Sequence, residues 1–358
     1  MIIYEKRGLY KMSRSPYSIN FGKIPTQYIS RSLLIDDVID ILNSEPAEEQ
    51  AFKLTGVRGA GKTVTLTAIE KELANDDTWI IVDVKSNGEI IKEIVANLYG
   101  TVPFLSSFID ANLNLSAFGI GLNISKKGPD VSTDVILKKI LTEVKSKNKK
   151  VLVVIDEARK TKELVDFIQE FQILIRNDLP IYLLAAGLYE DIESIENADG
   201  LTFFLRATKY EMKPLNLTVI EEDYERTLGL DEEVARQLAL STKGYAFAYQ
   251  AFGKYMWETG EKTITKTVFA LVDEALEVKV YDKIWSELRE KEKWYLTFIV
   301  KRDVMTATEL LEETKTSHSE WSEPRKRLIE KGIIDGSERG IIKLRLPRFK
   351  EFVEKQSV

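Results

Sequence analysis

Eight residues, Gly56-Val57-Arg58-Gly59-Ala60-Gly61-Lys62-Thr63, carry the clearest chemistry in this chain. They follow the order of a Walker A phosphate-binding loop. Glycine at these places permits backbone angles and a close approach that a Cβ would prevent. Main-chain N–H groups, continuing to Val64, then point inward at the start of a helix and form a concave anion site. Lys62 is expected to reach the β- and γ-phosphates of a nucleoside triphosphate, and the Thr63 hydroxyl to ligate Mg²⁺. A second group of residues answers the first. The apolar run Val151 to Ile155 ends in Asp156 and Glu157. Asp156 is expected to hold the Mg²⁺ shell through water, and Glu157 to polarise the attacking water as general base. The same acidic pair also suits a cap on the following helix.

These residues need a strand before each loop and a helix after it. Ala51–Thr55 is composed for a strand, and residues 63–74 place Leu66, Ile69 and Leu73 on one helical face. The apolar run 151–155 fits a parallel strand covered on both sides. Residues 78–83 read as a further strand, as do residues 181–186, which end at Gly187. Helices are expected over 31–42 and 91–98 and through Leu164, Ile168, Phe171 and Leu174. Short segments follow at 201–205 and 210–215, the latter an edge strand. Alternating strands and helices predict a doubly wound α/β sheet. The first thirty residues read as an extended arm. Residues 112–124 read as an inserted β-hairpin that packs on the core or on a partner.

From residue 216 the pattern is helical only, with Thr218 and Asp231 as expected N-caps. Helices are read at 219–228, 231–241, 245–258, 266–278 and 280–288. Beyond Lys291 three further helices precede Ile333-Ile334 and Ile341–Leu346, which read as a terminal hairpin. That is the order of a winged helix-turn-helix. The expected division is a nucleotide-binding α/β domain over 1–215, a helical lid over 216–288 and a winged helix over 289–358.

Composition narrows the chemistry. The 358 residues are 44% apolar and 30% charged, as in a soluble globular protein. Without cysteine there is no thiol catalysis or cysteine-ligated zinc, and a single histidine, His318, rules out a multi-histidine metal site. No apolar run reaches the length of a membrane span and the N-terminus lacks a secretory pattern, so a cytoplasmic location is expected. The net charge of −6 gives no overall footprint for nucleic acid. Locally the balance reverses. Residues 324–350 hold nine Lys and Arg against three acids, with Arg325, Lys326 and Arg327 on the expected recognition helix and Arg339 in the wing. Such residues neutralise phosphates on duplex DNA. A winged helix also serves as a protein-contact module, and both readings stand at this point.

Walker A, Walker B, a helical lid and a C-terminal winged helix, in that order, resemble the origin-recognition-type AAA+ ATPases and the related STAND class. The resemblance spans nearly the whole chain. It implies that Ile29 and Arg31 lie near the base and sugar, although Ser30 stands where the family has glycine. It implies that Arg206 acts on a neighbouring subunit's nucleotide; the same residue also suits a surface arginine paired with a lid carboxylate. Two departures matter. Ala185-Ala186-Gly187 offers no polar residue to orient water, and Lys243–Phe247 lacks the lid arginine of origin-type proteins. Both imply slow hydrolysis or a nucleotide-held switch. The expected protein is thus an ATPase that binds ATP or ADP with Mg²⁺, forms homo-oligomers when ATP-bound and binds double-stranded DNA. The alternative is a STAND-type signalling or defence switch whose winged helix contacts protein.

Overall fold

Five successive apolar residues need cover on both faces, and the strand formed by Lys150–Ile155 lies inside a five-stranded parallel sheet. The computed structural model describes residues 14–20, 24–112 and 133–356. The chain runs through α1 (Ser32–Asn43), β1 (Ala51–Thr55), α2 (Lys62–Leu73), β2 (Trp79–Asp83), α3 (Ile90–Thr101), α4 (Pro103–Asn112), α5 (Thr133–Ser146) and β3 (Lys150–Ile155). It continues with α6 (Lys162–Arg176), β4 (Ile181–Gly187), α7 (Tyr189–Glu196), α8 (Thr202–Arg206) and β5 (Thr208–Glu211). Helices α9 (Leu217–Leu228), α10 (Glu232–Thr242), α11 (Ala246–Thr259) and α12 (Lys266–Leu276) lead through a π-helical turn, Glu277–Tyr281, into α13 (Asp282–Ser286). The last elements are α14 (Glu290–Ile299), β6 (Val304–Thr306), α15 (Ala307–Thr314), α16 (His318–Glu330), β7 (Ile341–Lys343) and α17 (Phe349–Gln356). The hairpin expected at 112–124 lies, beyond Asn112, outside the described residues.

Two compact units emerge, and chain order does not separate them. Of the described residues, one holds those within 30–213 together with 318–334; the other holds those within 1–29, 214–317 and 335–358.

In the first unit the strands lie in the order β2-β3-β4-β1-β5, all parallel. Alternation along β3 sends Val151, Val153 and Ile155 into one core with α3, α5 and α6. Leu152 and Val154 enter the other core, against α1 and α2. Parallel pairing aligns Thr55 of β1 with Gly187 of β4, and Ile155 of β3 with Ala185. The phosphate-loop strand and the acidic strand therefore end at one edge of the sheet, with β4 between them. Lys53 breaks the apolar pattern of β1. Its fully buried ammonium donates to Glu196 Oε1 at 2.8 Å and to the carbonyls of Phe204 and Leu205 at 2.6 and 3.3 Å. It thereby satisfies carbonyls that the short helix α8 leaves open at its end. Glu196 is held from the other side by Lys209 at 2.8 Å. Burial works to raise the Glu196 carboxyl, and the two lysines overcome it, leaving it below the usual range.

The expected segment at 201–205 is this helix α8. The edge strand is Thr208–Glu211, two residues earlier than residues 210–215 suggested, because Lys209 and Tyr210 pair with Lys53 and Leu54 while Pro214 stands outside the ladder.

The second unit is helical, with one two-stranded sheet. Helix α9 is capped by Asn216, whose side chain accepts from the Thr218 N–H at 2.8 Å; Thr218 itself is inside the helix. Asp231 takes its expected N-cap position. Asp223 on α9 is a buried hub, accepting from the hydroxyls of Tyr17 and Tyr249 at 2.7 Å each and from Arg226 at 2.9 Å. Gln27 also donates to it. Ser18 N donates to Gln250 Oε1 at 2.8 Å, and Gln250 Nε2 returns to Gln27 O at 2.8 Å. The N-terminal arm is thus stitched to the helices. The expected terminal hairpin is rearranged: β7 pairs antiparallel with β6, setting Met305 opposite Ile342, and not with Ile333-Ile334. Met305 and Ile342 are buried, as are Ile333 and Ile334.

Candidate nucleotide site

The loop after β1 is built for close approach. A Cβ on Gly56 would stand 2.7 Å from Met212 Cβ, and Gly59 and Gly61 adopt left-handed backbones with φ of 76° and 92°. Gly61 is the N-cap of α2, and no side chain caps that terminus. The first amides of α2 and the positive end of its dipole therefore face the loop's concave side. The Lys62 ammonium donates to the carbonyls of Gly56 and Val57 at 2.9 and 3.0 Å. Burial pushes it down to about 8, with Asp156 acting in the opposite sense. Arg31, just before α1, donates to Ala60 O at 3.2 Å and so joins the loop; Ile29 belongs to the helical unit. Arg58 and Val64 continue the loop and helix as the motif requires, and Val57 is buried.

Across the sheet edge, Thr63 Oγ1 donates to Asp156 Oδ2 at 2.6 Å. A hydroxyl and a carboxylate brought together from the two strand ends are the oxygen donors that Mg²⁺ takes from protein, the rest of its octahedron being phosphate and water. The residues fit that ion. Asp156 Oδ1 also accepts from the Glu157 N–H at 2.8 Å. Glu157 has a left-handed backbone, φ 51°, unusual for a glutamate, and its exposed carboxylate lies 3.7 Å from Arg159. Strain of this kind concentrates at working sites. Ala185, Ala186 and Gly187 are all buried, and a Cβ on Gly187 would meet Ala158 O at 2.8 Å. Small residues are needed there because the chain after Glu157 folds back onto β4.

The structure adds carboxylates that sequence reasoning passed over. Glu70 on α2 comes beside Asp83 at the end of β2. Burial first, and the Asp83 charge second, push its carboxyl up to about 7. A Glu two turns after a Walker lysine is an ordinary exposed helix residue until β2 is placed beside it.

The other expected residues do not gather at the loop. Arg206 ends α8, exposed beside Leu205, which is 56% exposed. Arg325, Lys326 and Arg327 lie on α16 in the first unit, and Arg339 is exposed in the second. Helix α16 runs through Pro324 without interruption, burying Trp321, Pro324 and Leu328, while Ile329 is only half-buried. Much of the basic excess is spent internally. Lys326 pairs with Glu193 and Glu330, Lys331 with Glu190, Lys343 with Asp335 and Glu338, Arg348 with Asp273, and Lys350 with Asp303. Arg325, Arg339 and Arg345 stay outside these pairs.

The sequence profile of a family described only as a domain of unknown function (DUF8462) matches residues 278–353. No curated protein matches the chain. Among solved structures, the ORC2 protein of Aeropyrum pernix, in ADPNP–ADP complexes, is 15% identical over 94% of this chain and 96% of its own, with a TM-score of 0.57. Cdc6p of Pyrobaculum aerophilum is 17% identical over the same shares, at 0.49. DnaA of Aquifex aeolicus, bound to AMPPCP, is 14% identical over 95% of this chain and 96% of its own, at 0.43. Among the described residues no helix is long and apolar enough to cross a membrane. With its parallel sheet in the order β2-β3-β4-β1-β5 and a glycine-rich loop between β1 and α2, the chain has an α/β P-loop fold of the AAA+ type, shared with the ORC2 protein.

Proposed function

We propose that this protein binds ATP and ADP with Mg²⁺ and hydrolyses ATP slowly, as a nucleotide-dependent switch. The observation that carries this reading is the 2.6 Å approach of Thr63 to Asp156 beside the open start of α2. That approach gathers the parts which phosphoryl transfer needs at one place. The loop amides and Lys62 bind and orient the phosphates, with Arg31 bracing the loop at Ala60. Mg²⁺, when bound, neutralises charge on the phosphates. Glu157 takes the proton of the attacking water. The apolar end of β4 gives that water no second partner, which keeps turnover slow. The ORC2 protein with this fold was solved with nucleotides, which supports the same ligand here.

As the output we propose duplex DNA, held by Arg325 and Arg339 with Lys326 and Arg327, and assembly into homo-oligomers through Arg206. The helices of residues 216–288 are the proposed lid. The second reading, a STAND-type switch whose winged helix contacts protein, is favoured by one observation: Lys326 already pairs with a protein carboxylate, Glu193.

Calorimetry with Mg²⁺ and a non-hydrolysable ATP analogue tests the core of this reading. Wild type binds, Lys62→Ala does not, and Glu157→Gln binds normally while turnover falls by at least about 100-fold. Absence of uptake by wild type, or undiminished turnover in the Glu157 variant, defeats the corresponding assignment.

A further inference from the structure

Helix α16 and the residues that end it form one unit with the ATPase sheet. Three contacts hold them there. Lys331 is nearly buried, its side chain 7% exposed, and its ammonium lies 2.8 and 3.0 Å from the two carboxylate oxygens of Glu190, in the first turn of α7. One turn further along α7, Glu193 meets Lys326 at 3.5 Å. Gly332 then closes the helix with a left-handed backbone, φ 65°, while the N–H groups of Gly332 and Ile333 return to the carbonyls of Ile329 and Leu328. Its missing side chain matters, because a Cβ on Gly332 would stand 1.9 Å from Val57 Cγ1. Backbone packed this closely on a phosphate-loop side chain leaves no room for either to shift alone.

Val57 therefore serves two contacts. Its side chain seats Gly332, and its carbonyl accepts from Lys62. A triphosphate must recruit the Lys62 ammonium, which withdraws that donor from Val57 and Gly56 and asks the loop to rearrange under Gly332. We propose that residues 318–334 are a nucleotide-sensitive latch, docked on the phosphate loop by Lys331–Glu190 and by Gly332 on Val57. Docking favours the loop arrangement in which Lys62 is turned onto its own carbonyls; triphosphate favours release. Coupling of this kind is reciprocal. While docked, the latch also pairs Lys326 and Lys331 with Glu193 and Glu190, so release frees two further cations of this segment for a polyanion. The inference rests on the nucleotide site proposed above.

Charge reversal tests it in the full chain. Four proteins are compared: wild type, Glu190→Lys, Lys331→Glu and the double swap. Two quantities are read, hydrogen exchange of the amides in 318–334 and calorimetric affinity for a non-hydrolysable ATP analogue with Mg²⁺. Each single reversal is expected to speed exchange of this segment and to tighten analogue binding by at least about fivefold. The double swap restores both, which excludes simple misfolding. In wild type, saturating analogue is expected to speed exchange of the same amides. Faster exchange without a change in affinity overturns the latch and leaves a structural clamp. Normal uptake by wild type, with both quantities unmoved in the single reversals, also overturns it and spares the nucleotide site. Failure of all four proteins to take up analogue overturns the latch and the proposed function together.

Discussion

At the scale of single residues, one carboxyl near the site, that of Glu70, is moved from its ordinary range. Glu70 binds its proton more tightly in the folded chain than an ordinary glutamate, whose carboxyl titrates near about 4.3, because burial and Asp83 raise it to about 7. The sign follows from linkage. A carboxyl raised on folding favours the folded state below its unfolded value, and that contribution is lost as pH rises through the folded one. Stability is therefore expected to decline between about pH 4.3 and 7 on this account, and Glu70→Gln to remove that part of the slope. Urea melts of both proteins at several pH values check it; parallel curves would show that Glu70 does not titrate in this window. Glu157 shows a different single-residue effect. Its left-handed backbone is visible only in the structure, since nothing in its flanking residues announces a turn that glycine would make more cheaply.

At the scale of elements, the arm is the clearest case of packing set by one missing side chain. A Cβ on Gly253 of α11 would lie 2.5 to 2.7 Å from ring carbons of Tyr17. Gly253→Ala is expected to expel that ring, deprive Asp223 of a donor and cost ~1–3 kcal/mol. Chemical denaturation measures the loss, and in a Tyr17→Ala background the same substitution should cost less, since the clash is already gone. Sequence periodicity located the strands that bear the loops because their signal is local: a glycine-rich turn, a five-residue apolar run, a helix face repeating every three to four residues. Helices α4, α5 and α7 are absent from the sequence reading, although Ile136, Leu137, Ile140, Leu141 and Val144 of α5 repeat at helical spacing. Pairing of β7 with β6 was hidden. Three-residue strands carry too few residues for alternation to be read, and the partner lies before two intervening helices. The Asn216 cap was displaced from Thr218 by two residues, a usual error at a helix boundary.

The whole molecule adds what neither residues nor elements contain. Charge counted along residues 324–350 suggests an open basic surface, yet five of those nine cations meet carboxylates, and only the fold reveals the pairing. Arg206, by contrast, is exposed beside the exposed Leu205, at the end of a helix anchored from below by Lys53. An anchored, outward arginine next to an apolar side chain suits a contact with a second copy. Under the proposed function, ATP analogue should raise the solution mass, and Arg206→Ala should abolish that rise while leaving nucleotide affinity within about twofold. Light scattering with and without the analogue decides it, and an undiminished rise would remove Arg206 from the interface. Lys53 itself has one further consequence. An amine sealed inside a sheet is invisible to acylating reagents until the sheet opens, so the extent of its modification in a mixture counts the molecules that have lost their native form. The protein thus carries its own tracer of global opening, readable by mass spectrometry of a single peptide.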